Sequence, residues 1–146
     1  MPDKLQIEPI GEVRRFEDGA SVVEVKPRFA DTLSGVEVGS ELQVLYWMHE
    51  LNGDDQQLMR VHPRGDHDRP KRGVFSLRSP MRPNPIGVSN VRVLDVEGNR
   101  LTVSGLDALD CSPVIDLKAA RTEPDRKEIL DTWGRMHDGI VEKLEA

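Results

Sequence analysis

Short segments in which apolar and polar residues alternate dominate residues 5–117. Side chains of a β-strand point to opposite faces in turn, so such a pattern with β-branched residues predicts a strand with one buried face. In the longest segment Val91, Val93 and Ser89 share one face, and Glu97, Gly98 and Asn99 form a hairpin turn after it. The predicted strands are 6–13, 20–25, 42–48, 58–62, 73–77, 86–96, 100–106 and 113–117. Their short, regular spacing predicts a barrel or closed sheet.

The last part of the chain changes to a helical pattern. Thr122 or Glu123 near the cap and Pro124 near the first helical position are typical of a helix start. Apolar residues then recur at three- and four-residue spacing, which predicts an amphipathic helix over about 123–145. These residues are Ile129, Leu130, Trp133, Met136, Ile140, Val141 and Leu144. We expect their stripe to cover either the barrel or a second subunit.

A proline-rich segment, GVFSLRSPMRPNPIGVSN at 73–90, separates two of the predicted strands. Pro80, Pro83 and Pro85 each fix φ and remove a backbone donor, and they exclude a helix and an interior strand there. We therefore expect a rigid loop followed by a strand. Rigid loops often present polar groups to a ligand in a set geometry. The side chains that this loop would hold are Arg78, Arg82 and Asn84.

Composition places the 146 residues, 37% hydrophobic and 32% charged, in the range of one globular domain. We expect a single domain over 1–146, with the barrel at about 5–118. No apolar run approaches the roughly 18 residues of a membrane span, and the N-terminus lacks an apolar signal-peptide core. The sequence therefore predicts a soluble cytoplasmic protein.

The net charge of −6 is distributed unevenly. Residues 60–82 contain seven basic and two acidic residues, a local charge of +5. A basic patch on an acidic body suits a defined anionic ligand or a short piece of RNA, and a solvated loop without a partner is the alternative. The basic residues are Arg60, Arg64, Arg69, Lys71, Arg72, Arg78 and Arg82.

Several common catalytic motifs are absent. There is no glycine-rich dinucleotide motif, no Walker A sequence and no G-x-S-x-G nucleophile elbow. The single cysteine, Cys111, excludes an internal disulfide framework and a multi-cysteine metal site. The Gly-Asp-His-Asp run at 65–68 offers metal-ligating side chains, but it lies in a polar, proline-bounded loop, and we predict no metal site.

Two long segments resemble one known family. GVFSLRSPMRPNPIGVSNVRVL at 73–94 and SGLDALDCSPVIDLK at 104–118 are similar to the TsaA-like, or TrmO-type, family. IGEVRR at 10–15 and VLYWMHEL at 44–51 also resemble it. Its best-known members are S-adenosylmethionine-dependent methyltransferases that act on threonylcarbamoyladenosine in tRNA. The resemblance implies a mainly β fold: a small, mostly antiparallel β-barrel that forms a homodimer and binds S-adenosylmethionine near the dimer interface without a Rossmann fold.

The resemblance also implies where the methyl donor makes contact. The positions are Pro27, Arg28, Phe29, His49, Glu50, Arg78, Val88, Leu106 and Asp107. Alternatives stay open at four of them. Phe29 suits the core equally well, and His49 would equally satisfy a core hydrogen bond. Glu50 would equally be a solvated charge, and Leu106 is expected to contribute packing and backbone contacts.

Two arginines and two aspartates are the candidates for chemistry. A fork-shaped guanidinium at Arg78 or Arg82 suits the carboxylate of the donor, the carboxylate of the modified base or a tRNA phosphate. The alternative is a salt bridge to a carboxylate at Asp107, Asp110 or Asp116. An exocyclic adenine-type nitrogen must lose a proton when it is methylated, and a carboxylate would accept a hydrogen bond from it. We expect Asp107 first and Asp116 second, with Asp107 and Arg82 as the catalytic residues.

The sequence departs from the family in two places. The best-known bacterial members are longer and carry an added C-terminal domain, in place of which we expect one helix here. Cys111 stands where many relatives have glycine, so we expect its backbone to avoid positive φ. Three hypotheses follow: a methyltransferase acting on tRNA, a methyltransferase with a small acceptor, and a non-catalytic module that binds S-adenosylmethionine. A broad basic groove beside the donor site favours the first, a basic lid the second, and the absence of a carboxylate near the donor the third.

Overall fold

Six strands form a closed antiparallel barrel, which confirms the predicted mainly β fold. The computed structural model describes residues 2–120 and 131–136. The strands are β1 (Gly11–Arg15), β2 (Ser21–Val25), β3 (Glu41–Trp47), β4 (Arg60–Val61), β5 (Arg72–Gly73), β6 (Ile86–Glu97), β7 (Arg100–Ser104) and β8 (Pro113–Ala119). The barrel order is β1-β2-β7-β6-β3-β8, and β4 and β5 pair as a separate two-stranded sheet.

Alternation along the strands fills the barrel interior. On β6 the buried positions are Gly87, Ser89, Val91 and Val93, and the last three form the face that the sequence predicts. Each inward valine or leucine that leaves water contributes about 1.5–3 kcal/mol, so this shared interior is the main source of stability. The core consists of Val13, Val23, Val25, Leu42, Val44, Tyr46, Val91, Val93, Leu101, Val103, Leu106, Ala108 and Val114.

The antiparallel order gives the barrel two distinct ends. At one end, called here the Ile86 end, β1, β3 and β7 finish and β2, β6 and β8 begin, as the pairing of Trp47 with Ile86 shows. At the other, the Val25 end, β2 finishes beside the start of β1, where Val25 pairs with Gly11. Loops at different ends therefore present their side chains to different surfaces.

Three of the predicted strands are wrong in extent. Strand 6–13 begins only at Gly11. Strand 58–62 is reduced to the two residues of β4, and in place of strand 73–77 the chain forms a 3-10 turn at Val74–Ser76 after β5. Arg60, Arg72 and Gly73 are exposed, so β4 and β5 have no buried face that would stabilise longer strands. The remaining predicted strands agree with the structure to within two residues.

Three further turns of helix were not predicted. A 3-10 helix at Pro27–Leu33 follows β2 and has proline at its first turn. Helix α1 (Gly53–Gln57) is capped by Asn52, whose side chain accepts from the Asp55 N–H at 3.0 Å. A short 3-10 turn at Pro63–Gly65 follows β4. Each is too short to give a helical hydrophobic period.

Near the C-terminus, residues 131–136 are helical, and the rest of the predicted helix over 123–145 lies outside the described residues. Trp133 and Met136, the two positions of the predicted apolar stripe within this segment, are 60% and 56% exposed. The structure therefore shows neither of them buried against the barrel. Within the described part of the chain, no helix is both long and apolar enough to span a membrane.

Candidate functional site

A cleft of about 390 Å³ lies at the Ile86 end of the barrel. Four of the site residues predicted from the sequence line this cleft: Arg78, Arg82, Val88 and Asp107. We call it the Arg78 cleft. Its wall comes from the proline-rich loop, the start of β6 and the turn after β7, so segments far apart in sequence meet there.

The proline-rich loop forms as predicted, and its two arginines face the cleft. The Arg78 guanidinium donates to the Val88 carbonyl at 3.1 Å, and that of Arg82 donates to the carbonyls of Ser79 at 2.7 Å and Leu77 at 3.4 Å. Among the residues that the structure describes, neither arginine forms an ion pair with a carboxylate. The salt-bridge alternative is thus not observed, and both cations remain able to meet an anionic ligand.

Asp107 is fixed by its backbone rather than by its side chain. The Tyr46 hydroxyl donates to the Asp107 carbonyl, and the Asp107 N–H donates to Ser89 Oγ at 3.1 Å. Ser89 and Tyr46 are both buried, while Asp107 is exposed. The turn therefore leaves the Asp107 carboxylate available to a ligand while its main chain is held on both sides.

Arg15 supports the same turn from the end of β1. Its guanidinium donates to the carbonyls of Leu106 and Ala108, both at 2.9 Å. Its backbone N–H donates to the Asp110 carboxylate at 2.8 Å. Leu106 itself is buried in the core, so the turn is anchored by packing inside the barrel and by charge-assisted hydrogen bonds at its rim.

The close approach of Tyr46 depends on a glycine in β6. A Cβ atom placed on Gly87, the residue paired with Tyr46, would overlap the tyrosine ring. The lack of a side chain at Gly87 therefore gives the ring its place beneath the Asp107 turn.

His49 and Glu50 follow β3 at the same end of the barrel. His49 Nε2 lies 3.3 Å from Glu50 Oε1, and its Nδ1 is buried without a hydrogen-bond partner among the residues that the structure describes. The expected core hydrogen bond is therefore not made at Nδ1. A buried polar atom without a partner is costly, and a ligand group that bonds to it would remove that cost.

The remaining predicted positions lie at the Val25 end. Pro27, Arg28 and Phe29 start the 3-10 helix after β2, away from the Arg78 cleft. Arg28 pairs with Glu8 and stacks 4.5 Å above the Phe29 ring, which packs partly buried against the core. One chain therefore does not bring these three residues together with Arg78.

Asp116, the second candidate for a base, is also separate from the Arg78 cleft. It lies on β8, where its carboxylate accepts from the Leu117 N–H at 2.9 Å and lies 3.9 Å from Lys118 Nζ. It lines a cleft with Phe29. Only Asp107 of the two candidates therefore shares a cleft with the arginines.

The backbone at Cys111 contradicts the sequence expectation. Its φ is +67°, in the left-handed region that glycine adopts without strain. The Asp110 carboxylate accepts the thiol hydrogen at 3.5 Å, which raises the pKa of Cys111. The Arg15 N–H in turn lowers the pKa of Asp110. Two backbone hydrogen bonds hold Cys111 in this conformation. The Cys111 N–H donates to the Val13 carbonyl, and the Ser112 N–H donates to the Leu109 carbonyl.

Tyr46, Ser89 and Arg15 were missed by the sequence analysis. Tyr46 and Ser89 lie at alternating positions of predicted strands, and Arg15 lies in the family-like segment at 10–15 but beyond the predicted strand 6–13. The available signal was chemical: a tyrosine hydroxyl and a serine at buried positions require partners.

Metal ligation finds no support in the geometry of the part of the chain described. Within residues 2–120 and 131–136, no group of three or more His, Cys, Asp or Glu side chains could hold a metal ion.

Residues 11–126 match the family described as tRNA-methyltransferase O N-terminal domain. The chain belongs to this family. The resemblance found in the proline-rich loop and the Asp107 turn is thereby confirmed.

Curated relatives of similar length are known. The chain is 47% identical over 111 residues to a protein of Archaeoglobus fulgidus described as an S-adenosyl-L-methionine-binding protein, with 76% of each chain covered. It is 42% identical over 128 residues to a protein of Methanothermobacter thermautotrophicus described as a probable S-adenosyl-L-methionine-binding protein, with 79% of this chain and 89% of that one covered.

The fold is similar to a solved structure of the same family. The crystal structure of TrmO from Pseudomonas aeruginosa superposes with a TM-score of 0.63 and 28% sequence identity, covering 84% of this chain. The chain spans 58% of the length of that TrmO chain.

Proposed function

We propose that this protein binds S-adenosylmethionine in the Arg78 cleft and methylates N6 of threonylcarbamoyladenosine next to the anticodon of tRNA. The observation that carries the proposal is the meeting of Arg78, Arg82 and Asp107 in one cleft of a member of the tRNA-methyltransferase O family. The descriptions of the two relatives support S-adenosylmethionine as the cofactor. Such an enzyme would act in the cytoplasm, where tRNA is modified.

The residues at the Ile86 end fit this cofactor chemically. When bound, S-adenosylmethionine supplies a methyl group on an already activated sulfonium, so the protein mainly positions and desolvates the reactants. Arg78 has no carboxylate partner among the described residues and suits the carboxylate of the methionine end. Nδ1 of His49 has no partner within the described part of the chain and suits a polar group of the nucleoside end.

Asp107 and Arg82 take the acceptor side in this proposal. The Asp107 carboxylate accepts a hydrogen bond from the exocyclic nitrogen and takes its proton. Arg82 holds the threonyl carboxylate of the modified base by a bidentate contact. An Asp107→Asn variant with full turnover would contradict the base assignment.

A homodimer would complete the donor site. Pro27, Arg28 and Phe29 lie at the opposite end of the barrel from Arg78 within one chain. We therefore propose that these three residues of one chain complete the Arg78 cleft of a second copy of the chain. Mixed dimers of Arg78→Ala and Phe29→Ala chains test this, because one intact site per mixed dimer would restore up to half of the donor binding that each variant alone lacks.

The deciding experiment is methyl transfer from labelled S-adenosylmethionine to bulk tRNA that lacks the modification, followed by nucleoside analysis. We expect methylated threonylcarbamoyladenosine with the unaltered protein and none with Arg78→Ala. Arg92→Ala is the matched control, since Arg92 is exposed on β6 outside the cleft. Donor binding that survives Arg78→Ala unchanged would show that the donor lies elsewhere.

A second candidate is a binding module without turnover, which the descriptions of the relatives favour. It predicts donor binding by calorimetry with no transfer to tRNA or to a nucleoside. The presence of a carboxylate, that of Asp107, in the same cleft as Arg78 favours the enzyme.

A further inference from the structure

A second and larger cleft, of about 910 Å³, adjoins the Arg78 cleft. The two share the wall formed by residues 77–80 of the proline-rich loop. The other wall comes from β4, β5 and the connection between them. Its volume lies in the range of sites that enclose a small molecule or a nucleotide. We call it the basic cleft.

Positive charge dominates the basic cleft. Six cationic side chains line it, and none of the described residues in its lining is acidic. The protein as a whole is acidic, so this concentration of one sign focuses attraction for an anion on one concave surface. The cations are Arg60, Arg64, Arg69, Lys71, Arg72 and Arg78.

Two of these cations are uncommitted. Arg69 pairs with Asp66 at 3.4 Å, and Arg60, Arg72 and Arg78 each donate to a backbone carbonyl. Arg64 and Lys71 form neither an ion pair nor a side-chain hydrogen bond among the described residues. Arg64 also has φ +54° and ψ +25°, a left-handed conformation that an arginine adopts at a cost. Backbone strain of this kind persists where the surrounding structure imposes it, and it clusters at binding sites.

Apolar and aromatic side chains also line the basic cleft. Leu58, Val61 and Met81 contribute aliphatic surface. The rings of His62 and His67 lie 4.5 Å apart and are tilted by 54° to each other, and the Arg69 carbonyl accepts from His62 Nδ1 at 2.8 Å. A ligand with a flat apolar group and an attached anion would find both apolar and cationic side chains in this lining. A nucleotide has both parts.

We propose that the basic cleft binds single-stranded RNA, holding a base against the ring of His62 and the adjoining phosphodiester at Arg64 and Lys71. The shared wall at 77–80 places this nucleotide beside the one whose base enters the Arg78 cleft. A duplex presents its phosphates on a convex surface and does not fit into a cleft of this size. The inference deepens the proposed function and rests on it for the neighbouring base.

The test is binding of a labelled single-stranded RNA of about ten nucleotides to the full chain, measured from about 50 to about 300 mM salt. The variant is Arg64→Gln with Lys71→Gln, and both residues are exposed. The matched control, Lys4→Gln with Arg92→Gln, removes the same charge from exposed positions outside the cleft. Donor binding by calorimetry serves as the check on folding.

We expect the cleft variant to lose about tenfold or more in RNA affinity at low salt. The slope of log affinity against log salt should be smaller by about 0.7, the value for one phosphate contact on a single strand. The control should keep the slope within a few tenths. Equal losses in both variants, or an unchanged slope in the cleft variant, would overturn the inference. So would saturation by adenosine monophosphate at the same affinity as the RNA, since the cleft would then hold a free nucleotide.

Failure of this inference is distinguishable from failure of the proposed function. If the cleft variant keeps both tRNA methylation and RNA affinity, the basic cleft is not an RNA site, and the enzyme assignment is unaffected. Loss of RNA affinity in that variant, in a protein that never transfers a methyl group, would support the RNA site and reject the enzyme assignment.

Discussion

The buried hydroxyl of Tyr46 donates a hydrogen bond to the backbone carbonyl of Asp107, 61 residues away in the sequence. This contact ties the turn that carries the candidate base to the interior of β3. The first prediction is that Tyr46→Phe, which keeps the ring, leaves that carbonyl without its donor and destabilises the fold by about 1–2 kcal/mol.

The same change should reduce donor affinity by about fivefold, because the Asp107 turn gains freedom that binding must then remove. Thermal unfolding and calorimetry measure the two effects. Ser89→Ala, which removes the acceptor of the Asp107 N–H at 3.1 Å, should act in the same direction. A Tyr46→Phe protein with wild-type donor affinity would show that the turn holds its position without this bond.

Arg15 is predicted to position the turn without touching the ligand. Arg15→Gln removes both guanidinium bonds to the carbonyls of Leu106 and Ala108 and keeps the backbone bond to Asp110. We expect a rise in the donor KM of about fivefold or more with a smaller change in kcat, since the bonds shape the binding turn.

Arg15→Lys should restore part of the loss by reaching one carbonyl. The control is Arg14→Gln, the neighbouring arginine, which pairs with Glu12 at 3.2 Å on the exposed side of β1. Equal effects of Arg14→Gln and Arg15→Gln would mean that net charge, and not the clamp on the turn, sets donor affinity.

Gly87→Ala tests the steric basis of the site. The added methyl group would overlap the ring of Tyr46, so either β6 or the ring must shift. We expect a loss of stability of about 1–3 kcal/mol, as for other overpacked cores, measured by chemical denaturation. A double variant, Gly87→Ala with Tyr46→Leu, should recover part of the stability but not the donor affinity. If the double variant recovers no stability, the loss in Gly87→Ala comes from the β6 backbone and not from overlap with the Tyr46 ring.

Much of the barrel could be predicted from the sequence, because its strands bury one face. The alternation of Ser89, Val91 and Val93 follows directly from that burial. The proline-rich loop was predictable as well, since proline geometry is local. By contrast, Arg60 and Gly73 lie in a two-stranded sheet with exposed residues, and no periodicity marks its limits.

The site was predictable in its residue types and not in its arrangement. The arginines and Asp107 came from chemistry and resemblance, and the structure places them in one cleft. The contacts from Tyr46 and Arg15 to the Asp107 turn join residues 61 and 91 or more positions apart, and no local pattern encodes such pairs. The left-handed backbone at Cys111 was missed because the bonds that impose it also come from the distant strand β1.

Cys111→Gly should stabilise the protein. Glycine adopts φ +67° without the clash that a Cβ atom makes, and the gain should be about 1 kcal/mol after the greater entropy of the unfolded glycine is subtracted. Cys111→Val should be destabilising, because a branched Cβ tolerates this region least. The free energies of unfolding of the two variants, compared with the unaltered chain, give the answer. A glycine variant less stable than the cysteine would mean that the thiol contacts outweigh the strain.

The Cys111 thiol is predicted to react slowly with alkylating agents at neutral pH, although it is exposed. The Asp110 carboxylate accepts its hydrogen and raises the pKa of the thiol, which lowers the fraction of reactive thiolate. Because the pKa of Asp110 is itself lowered, that carboxylate stays charged throughout the range in which the thiol titrates.

Asp110→Asn should therefore move the midpoint of the alkylation rate against pH downward, toward the ordinary thiol value of about 8.5. The control Asp95→Asn, on an exposed position of β6, should leave the midpoint unchanged. The lowered pKa of Asp110 also means that its stabilising contribution is present above the pKa of the unfolded carboxyl and is lost as the pH falls through the folded value. Asp110→Asn should remove that acid-side dependence, and an unchanged alkylation midpoint in this variant would place the cause of the raised thiol pKa outside Asp110.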